Sequence, residues 1–366
     1  MATKFRVTKE KILDGLQCVQ NVVSTRTTLP ILSNTLLQAG KERLSLTTTD
    51  LDVAVRCSVE ADVSKEGATT LPARKLFSIL KEVPVADIDI EVDERNAASI
   101  RCGSSFYKIM GLAEEEFPQF PKSEGGKTLK LEQSALRDML RKTTYAVSND
   151  ETRYVLNGVF MSFKADKVTV VATDGRRLAL VERDLDVPKG AESELIIPTK
   201  AVGELERLLG DSGEVSLSVG ENQVIFTIGE TILVSKLIEG TYPNFRQVIP
   251  TEVKERVQLE RETLLSALHR ASILASEKSQ SVKLNFDKNT LTITATTPEV
   301  GEAKETLSIN YKGKEITIAF NPQYLMDPLR NLDADEVFLE LTDELSPGVV
   351  KVNEPFLYVL MPMRLN

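Results

Sequence analysis

Few residues in this 366-residue chain are spaced to do chemistry. Gly125-Gly126-Lys127-Thr128 is half of a phosphate-binding loop. The full pattern needs a glycine at position 121, held here by Pro121, with a strand before it and a helix directly after. A proline-rich stretch precedes these residues and Thr128-Leu-Lys-Leu131 reads as a strand, so the segment is an interdomain linker. No HExxH, GxSxG or GxGxxG pattern occurs, and the single histidine, His269, has no cysteine or carboxylate cluster beside it. Asp50, Asp52 and Asp174 are of a type suited to acid–base work. However, Asp50 and Asp174 occupy equivalent places in a repeat whose third copy carries Thr297, which favours turn residues over catalysts. Cys18, Cys57 and Cys102 lack CxxC spacing and read as buried thiols of a reducing cytoplasm. No catalytic residue, metal site or cofactor is expected.

What must position any site is a threefold repeat. Leu44-Ser-Leu-Thr-Thr-Thr-Asp50 returns as Val168-Thr-Val-Val-Ala-Thr-Asp174 and again as Leu291-Thr-Ile-Thr-Ala-Thr-Thr297, at spacings of 124 and 123. Pro72, Pro198 and Pro322 keep the same beat, 126 and 124 apart. Two markers in register at a domain-sized period mean three copies of one fold, expected at 1–126, 127–251 and 252–366. Each copy opens with an amphipathic helix. Thr8 caps the first, and Ile12, Leu13, Leu16 and Val19 supply its apolar stripe; Ser134 precedes the stripe of Leu136, Met139, Leu140 and Thr143; Leu264, Leu265, Leu268 and Ala271 form the third. A second helix follows each shared proline, which suits a first helical turn. The expected spans are 9–20, 72–82, 133–146, 198–209, 262–276 and 322–332, the last shortened or kinked by Pro328. Short alternating segments such as Val168 to Val171, Ala179 to Val181, Val224 to Ile228 and Leu291 to Thr294 read as strands. The fold class is therefore α+β, with two helices per copy packed on antiparallel sheets. Pro118 to Lys127 and Tyr242 to Pro250 mark the joints.

Charge is divided unevenly. The net charge is −9, which taken alone argues against nucleic acid. Yet the six expected helices hold twelve Lys/Arg against eight Asp/Glu, leaving a balance of −13 for the rest. Arg137, Arg141 and Lys142 on one helix, and Arg74, Lys75 and Lys81 on another, suit basic helices shown to one partner. Met1 to Lys11 has no apolar core, and no run of ~18 apolar residues is present to span a membrane. The Thr173-Asp-Gly-Arg-Arg-Leu178 segment by itself is an Asp-Gly hairpin turn. The end of the chain, Phe356 to Leu365, by itself is a strand and a frayed tail, although Met361 and Met363 around Pro362 suit an adaptable apolar site.

Taken together these residues resemble the bacterial sliding clamp family, the β subunits of DNA polymerase III, from Phe5 to Leu365. The segments that carry the resemblance are Leu29-Pro-Ile-Leu-Ser-Asn34, Leu71-Pro-Ala-Arg-Lys75, Ala172-Thr-Asp-Gly-Arg-Arg-Leu178, Tyr242-Pro-Asn-Phe-Arg246 and Met361-Pro-Met-Arg-Leu365. The resemblance implies three clamp domains, a head-to-tail homodimeric ring of six domains around duplex DNA, and a cytoplasmic, nucleoid-associated processivity factor. It carries over DNA contacts to Arg26, Arg74, Asp150, Tyr154 and Val155, joined by Arg153 and by the helix residues Arg137, Arg141, Lys142 and Lys200. Asp150 and Val155 depart from the neutral polar and aromatic residues expected there. A peptide groove is implied at Leu156, Thr173, Gly175, Arg176, Arg177, Leu178, Pro243, Arg246, Val248, Leu345, Val359, Met361, Pro362, Met363, Arg364 and Leu365. There the polymerase α subunit, the clamp-loader δ subunit and other proteins with clamp-binding motifs would dock, and the arginines would orient the peptide. A dimer interface is implied between Lys75, Tyr107 and Ile109 of one subunit and Ile273, Leu274, Glu299 and Glu302 of the other.

Two other classes compete. A three-domain interaction scaffold without DNA accounts for the repeat and the net charge but not for the basic helices or the Met-Pro-Met-Arg-Leu end. A carboxylate hydrolase needs paired acids in a cleft, which the repeat gives no reason to expect.

Overall fold

In the computed structural model each helix is launched by the strand before it. The structure describes residues 3–23, 28–84, 87–121, 128–275 and 281–364. Among these, six α-helices occur: α1 (Lys9–Val19), α2 (Ala73–Glu82), α3 (Gln133–Arg141), α4 (Thr199–Leu208), α5 (Arg261–Ser272) and α6 (Pro322–Asn331). The strands Thr3–Thr8, Gly67–Pro72, Thr128–Glu132, Ser193–Pro198 and Glu255–Glu260 run straight into the first five. Thr8 ends its strand and caps α1, its hydroxyl accepting from the Lys11 amide. Asn321 does the same for α6, accepting from the Gln323 and Tyr324 amides at 2.8 and 3.4 Å. Pro322 takes the first helical position, whereas Pro72 and Pro198 close the preceding strands.

Three of the helices differ from expectation: α5 ends at Ser272 rather than at 276, and α3 and α6 depart as follows. α3 stops at Arg141 because threonine hydroxyls take its last carbonyls: Thr143 Oγ1 donates to Met139 O at 2.8 Å and Thr144 Oγ1 to Leu140 O at 2.8 Å. The chain then tightens into a 3-10 turn at Thr144–Ala146. Ser134 lies inside the helix, as the expected start at 133 has it. α6 is not shortened by Pro328. The proline lacks the N–H that would bond Tyr324 O four residues back, and the buried Tyr358 hydroxyl donates to that carbonyl instead at 2.8 Å.

The strands form four antiparallel sheets. One eight-stranded sheet runs Thr128–Glu132, Glu214–Val219, Gln223–Ile228, Thr231–Lys236, Val53–Glu60, Arg43–Thr49, Asn34–Gly40, Gly67–Pro72. A second runs Ser193–Pro198, Gly158–Lys164, Lys167–Thr173, Arg177–Asp184, Phe356–Leu360, Gly348–Lys351, Glu336–Leu341, Glu255–Glu260. In each, four strands of one repeat pair with four of the next. A five-stranded sheet ends at Ser105–Met110 and a four-stranded sheet at Gly301–Ser308. Shared sheets make the compact units differ from the sequence repeats: Met1–Leu136 packs with Lys200–Leu237, and Arg137–Thr199 with Ile238–Asn366. The core is where the amphipathic faces pointed; Ile12, Leu16 and Val19 of α1, and Leu136, Met139 and Leu140 of α3, are fully buried. Cys57 and Cys102 are buried, but Cys18 is half-exposed. The Gly125 to Lys127 segment lies outside the described residues, and Thr128 opens a strand.

Candidate functional site

The Asp-Gly turn between Lys167–Thr173 and Arg177–Asp184 is the first segment of the implied groove. Asp174 Oδ1 accepts from the Arg176 and Arg177 amides at 2.8 and 3.0 Å, and Thr173 Oγ1 donates to Arg177 O at 2.6 Å. Asp50 does the equivalent work in the first repeat, accepting from the Asp52 and Val53 amides. Both aspartates are turn residues, as their repeat position suggested. Gly175 sits at φ +83°, and a Cβ there would come within 2.9 Å of Arg153 Nη1.

Beyond this turn the strands carry an apolar floor. Leu178 and Val359 pair across neighbouring strands and are buried with Leu156, Phe160 and Val349. The connector after Ile238 supplies a wall, where Tyr242 stacks on Phe160 with ring centroids 4.9 Å apart and Phe245 and Ile249 pack beside it. Burial pushes the Tyr242 phenol well above its ordinary pKa. Of the other implied apolar positions, Val248, Leu345 and Met361 remain 48%, 77% and 44% exposed. Pro243, Gly175, Arg176 and Arg364 are also exposed, and Pro362 and Met363 half-buried. Met361 to Met363 are not frayed, since the Met361 amide donates to Arg176 O at 2.8 Å and the Met363 amide to Ala319 O at 2.7 Å. Leu365 lies outside the described residues. The described residues of that set all belong to one unit, but Phe160, Leu180, Tyr242, Phe245 and Ile249 of its apolar cluster were not singled out. The Tyr242-Pro-Asn-Phe-Arg246 motif held two of them, and Leu180 stands one strand period beyond Leu178.

Arg177 needs correcting. Its guanidinium is engaged inside the protein by Asp174, Asp327 and Tyr145 O, and it lies 4.3 Å over the Tyr324 ring. Burial works against its charge, but Tyr358 and Asp327 outweigh that and hold its pKa up. It therefore braces the turn from behind, with its Nε, Nη1 and Nη2 each engaged within the chain. Arg176, Arg246 and Arg364 are the implied groove arginines at the surface, Arg246 paired with Glu182 at 3.0 Å.

Two of the expected DNA contacts also change. Lys142 is only 4% exposed, its ammonium fixed by Asp138 at 2.9 Å and Glu354 at 2.7 Å. A buried ion pair of this kind does not meet phosphate. Val155 packs against the apolar floor of the groove. The other positions keep some surface. Asp150 caps the 3-10 turn Glu151–Leu156, accepting from the Thr152 amide at 3.0 Å, and the Thr152 hydroxyl and amide hold its pKa down. Tyr154 is 58% exposed, and Arg153 contacts Asp174 O at 3.3 Å. Arg141 is shared between Asp138 and Asp333, and Lys200 between Asp50 and Val22 O. Arg74, Lys75 and Lys81 make no ion pair among the described residues, and Arg137 is exposed. Arg26 lies outside the described residues.

Of the interface candidates, Tyr107, Ile109 and Glu302 sit on edge strands, Lys75 on α2, and Ile273 and Leu274 at the end of α5. Ser105–Met110 alternates half-buried Tyr107 and Ile109 with exposed Phe106, Lys108 and Met110. Ile273, at the end of α5, is 71% exposed beside Leu274, and Glu299 and Glu302 lie exposed at and before Gly301–Ser308. Neither edge strand has an outer neighbour among the described residues.

Comparison with known proteins bears on these surfaces. Family models for the DNA polymerase III beta subunit match throughout: the N-terminal domain over residues 3–121, the central domain over 130–244 and the C-terminal domain over 246–364. The chain is 35% identical over 363 residues to the beta sliding clamp of Chlamydia muridarum, covering 99% of each. It is 37% identical over 366 residues to that of Pseudomonas putida, covering 99% of this chain and 100% of the other. Among solved structures, it superposes on a sliding clamp (DNA polymerase III subunit beta) from Pseudomonas aeruginosa bound to griselimycin with a TM-score of 0.94 at 35% identity. It superposes on the DNA polymerase sliding clamp of Bacillus subtilis with a TM-score of 0.95 at 29% identity. Both structural matches cover 100% of both chains.

Proposed function

This chain belongs to the DNA polymerase III beta subunit family, the non-catalytic sliding clamps of the bacterial replicative polymerase, and we propose that two copies close head to tail into a ring around duplex DNA. The observation that carries this reading is the way its repeats share sheets. Thr231–Lys236 pairs with Val53–Glu60, and Phe356–Leu360 pairs with Arg177–Asp184, in one register. Ser105–Met110 holds the place of Thr231–Lys236 in its own repeat, and Gly301–Ser308 holds the place of Val53–Glu60. Both are open edges, and an open edge is a template for another strand. Joining them between two copies by the same register sets Tyr107 against Ala303 and Lys108 against Glu302. Lys75, Ile109, Ile273, Leu274 and Glu299 then flank the joint.

A ring explains the restrained charge of the helices. Holding DNA by encirclement needs no strong phosphate grip, and many phosphate contacts would make binding steeply salt-dependent and hinder sliding. Ion pairs on Arg141 and Lys200 moderate the lining, and Arg74, Arg137, Arg153 and Tyr154 are the retained DNA-facing candidates. The groove of the second unit serves as the dock for short linear motifs of the polymerase α subunit, the clamp-loader δ subunit and repair proteins, with apolar anchors on Leu178 and Val359. We assign the three clamp domains to 1–126, 127–251 and 252–366, and the site of action to the cytoplasmic nucleoid.

The sheet-joining register is tested by charge reversal. Like charges directly opposed across strands are destabilising, by roughly 1 kcal/mol per pair, and a closed ring contains the pair twice. Lys108→Glu and Glu302→Lys should each weaken the dimer in sedimentation equilibrium, and the double variant should restore it. Single variants that dimerise like the parent, or a double variant as weak as either single, would refute the register.

A further inference from the structure

The connector Phe117-Pro118-Gln119-Phe120 repeats, 125 positions earlier, the Tyr242-Pro243-Asn244-Phe245 connector that walls the groove. The strands beneath correspond as well. Ile232 opposes Arg56 as Leu357 opposes Leu180, and Val234 opposes Ala54 as Val359 opposes Leu178. The first compact unit therefore carries an internal copy of the groove with altered chemistry. Arg56 stands in the place of Leu180, Ala54 in that of Leu178 and Thr47 in that of Val171. A cavity of about 1020 Å3 lies under the connector, with Leu36, Phe117, Ile225 and Val234 among its apolar lining.

Arg56 is half-buried in this cavity. Its guanidinium lies 3.9 Å from the centroid of the Phe120 ring, and its Nε donates to Thr47 Oγ1 at 3.2 Å. It makes no ion pair among the described residues, and burial lowers its pKa. A stacked, tethered guanidinium without a counter-charge is preorganised for a carboxylate, which it binds through paired N–H donors. The exposed Glu114 and Glu115 also line the cavity and disfavour a polyanion such as nucleic acid. We infer that this cavity is a second docking site, for an extended peptide that presents a single carboxylate between apolar side chains. The inference rests on the peptide-binding reading of the groove in the second unit.

Fluorescence anisotropy of the full-length protein tests it, with labelled Ala-Leu-Glu-Leu-Phe-Ala and its glutamine analogue Ala-Leu-Gln-Leu-Phe-Ala as probes. The acidic peptide should bind about tenfold tighter than the analogue, the value of one charge-assisted contact. Arg56→Gln and Arg56→Leu should each erase that preference; the second installs the residue of the other copy and so guards against misfolding. Deleting Met361 to Leu365 should leave it untouched, which separates this cavity from the groove. Equal affinity for the two peptides, no binding of the acidic one, a preference that survives Arg56→Gln, or its loss on the deletion would each overturn the inference.

Discussion

At the residue scale the two arginines of the Asp-Gly turn show how neighbours divide their work. Arg176 is exposed, whereas the Arg177 side chain is 10% exposed and its partners Asp174 and Asp327 are each 14% exposed. Removing one member of such a cluster strands the opposite charge, at a cost of about 3 kcal/mol. Arg177→Leu should lower unfolding stability by that order and weaken groove peptides as well. Arg176→Ala should leave stability within about 0.5 kcal/mol and change peptide affinity alone. Denaturant melts paired with peptide titrations separate the two, and equal stability losses would refute the assignment. The sequence disclosed Asp174 as a turn residue because the repeat exposed its position. It hid the role of Arg177, whose partners Tyr145 and Asp327 lie far along the chain.

At the element scale α6 shows why propensity misled. An interior proline costs a helix when the freed carbonyl is left to itself. Here Tyr358, past two further strands of the same repeat and beyond what the local pattern could show, donates to the Tyr324 carbonyl. Tyr358→Phe should therefore destabilise by about 1–3 kcal/mol. In a Pro328→Ala background the restored amide can take the carbonyl, and the loss should shrink. A double-mutant cycle measures the coupling, of order 1 kcal/mol; strictly additive effects would contradict it. Helix starts were legible from Thr8 and the apolar periodicity. The early end of α3 was not, because it depends on where the Thr143 and Thr144 hydroxyls donate.

At the scale of the whole molecule, three copies were readable from two motifs in register, but their fusion was not. Strand alternation in Val53–Glu60 or Arg177–Asp184 tells which face is buried and not which distant strand lies alongside, so the shared sheets and the open edges came only with the fold. Those edges, together with helices whose charges are partly answered within the chain, are the grounds on which we propose topological retention on DNA. The most direct test loads the protein onto nicked circular duplex and then linearises the circle. A closed ring should stay on the circle through a high-salt wash and run off the free ends once it is cut. Complexes that persist unchanged on linear DNA with unblocked ends would show that attraction to the duplex, and not encirclement, does the holding.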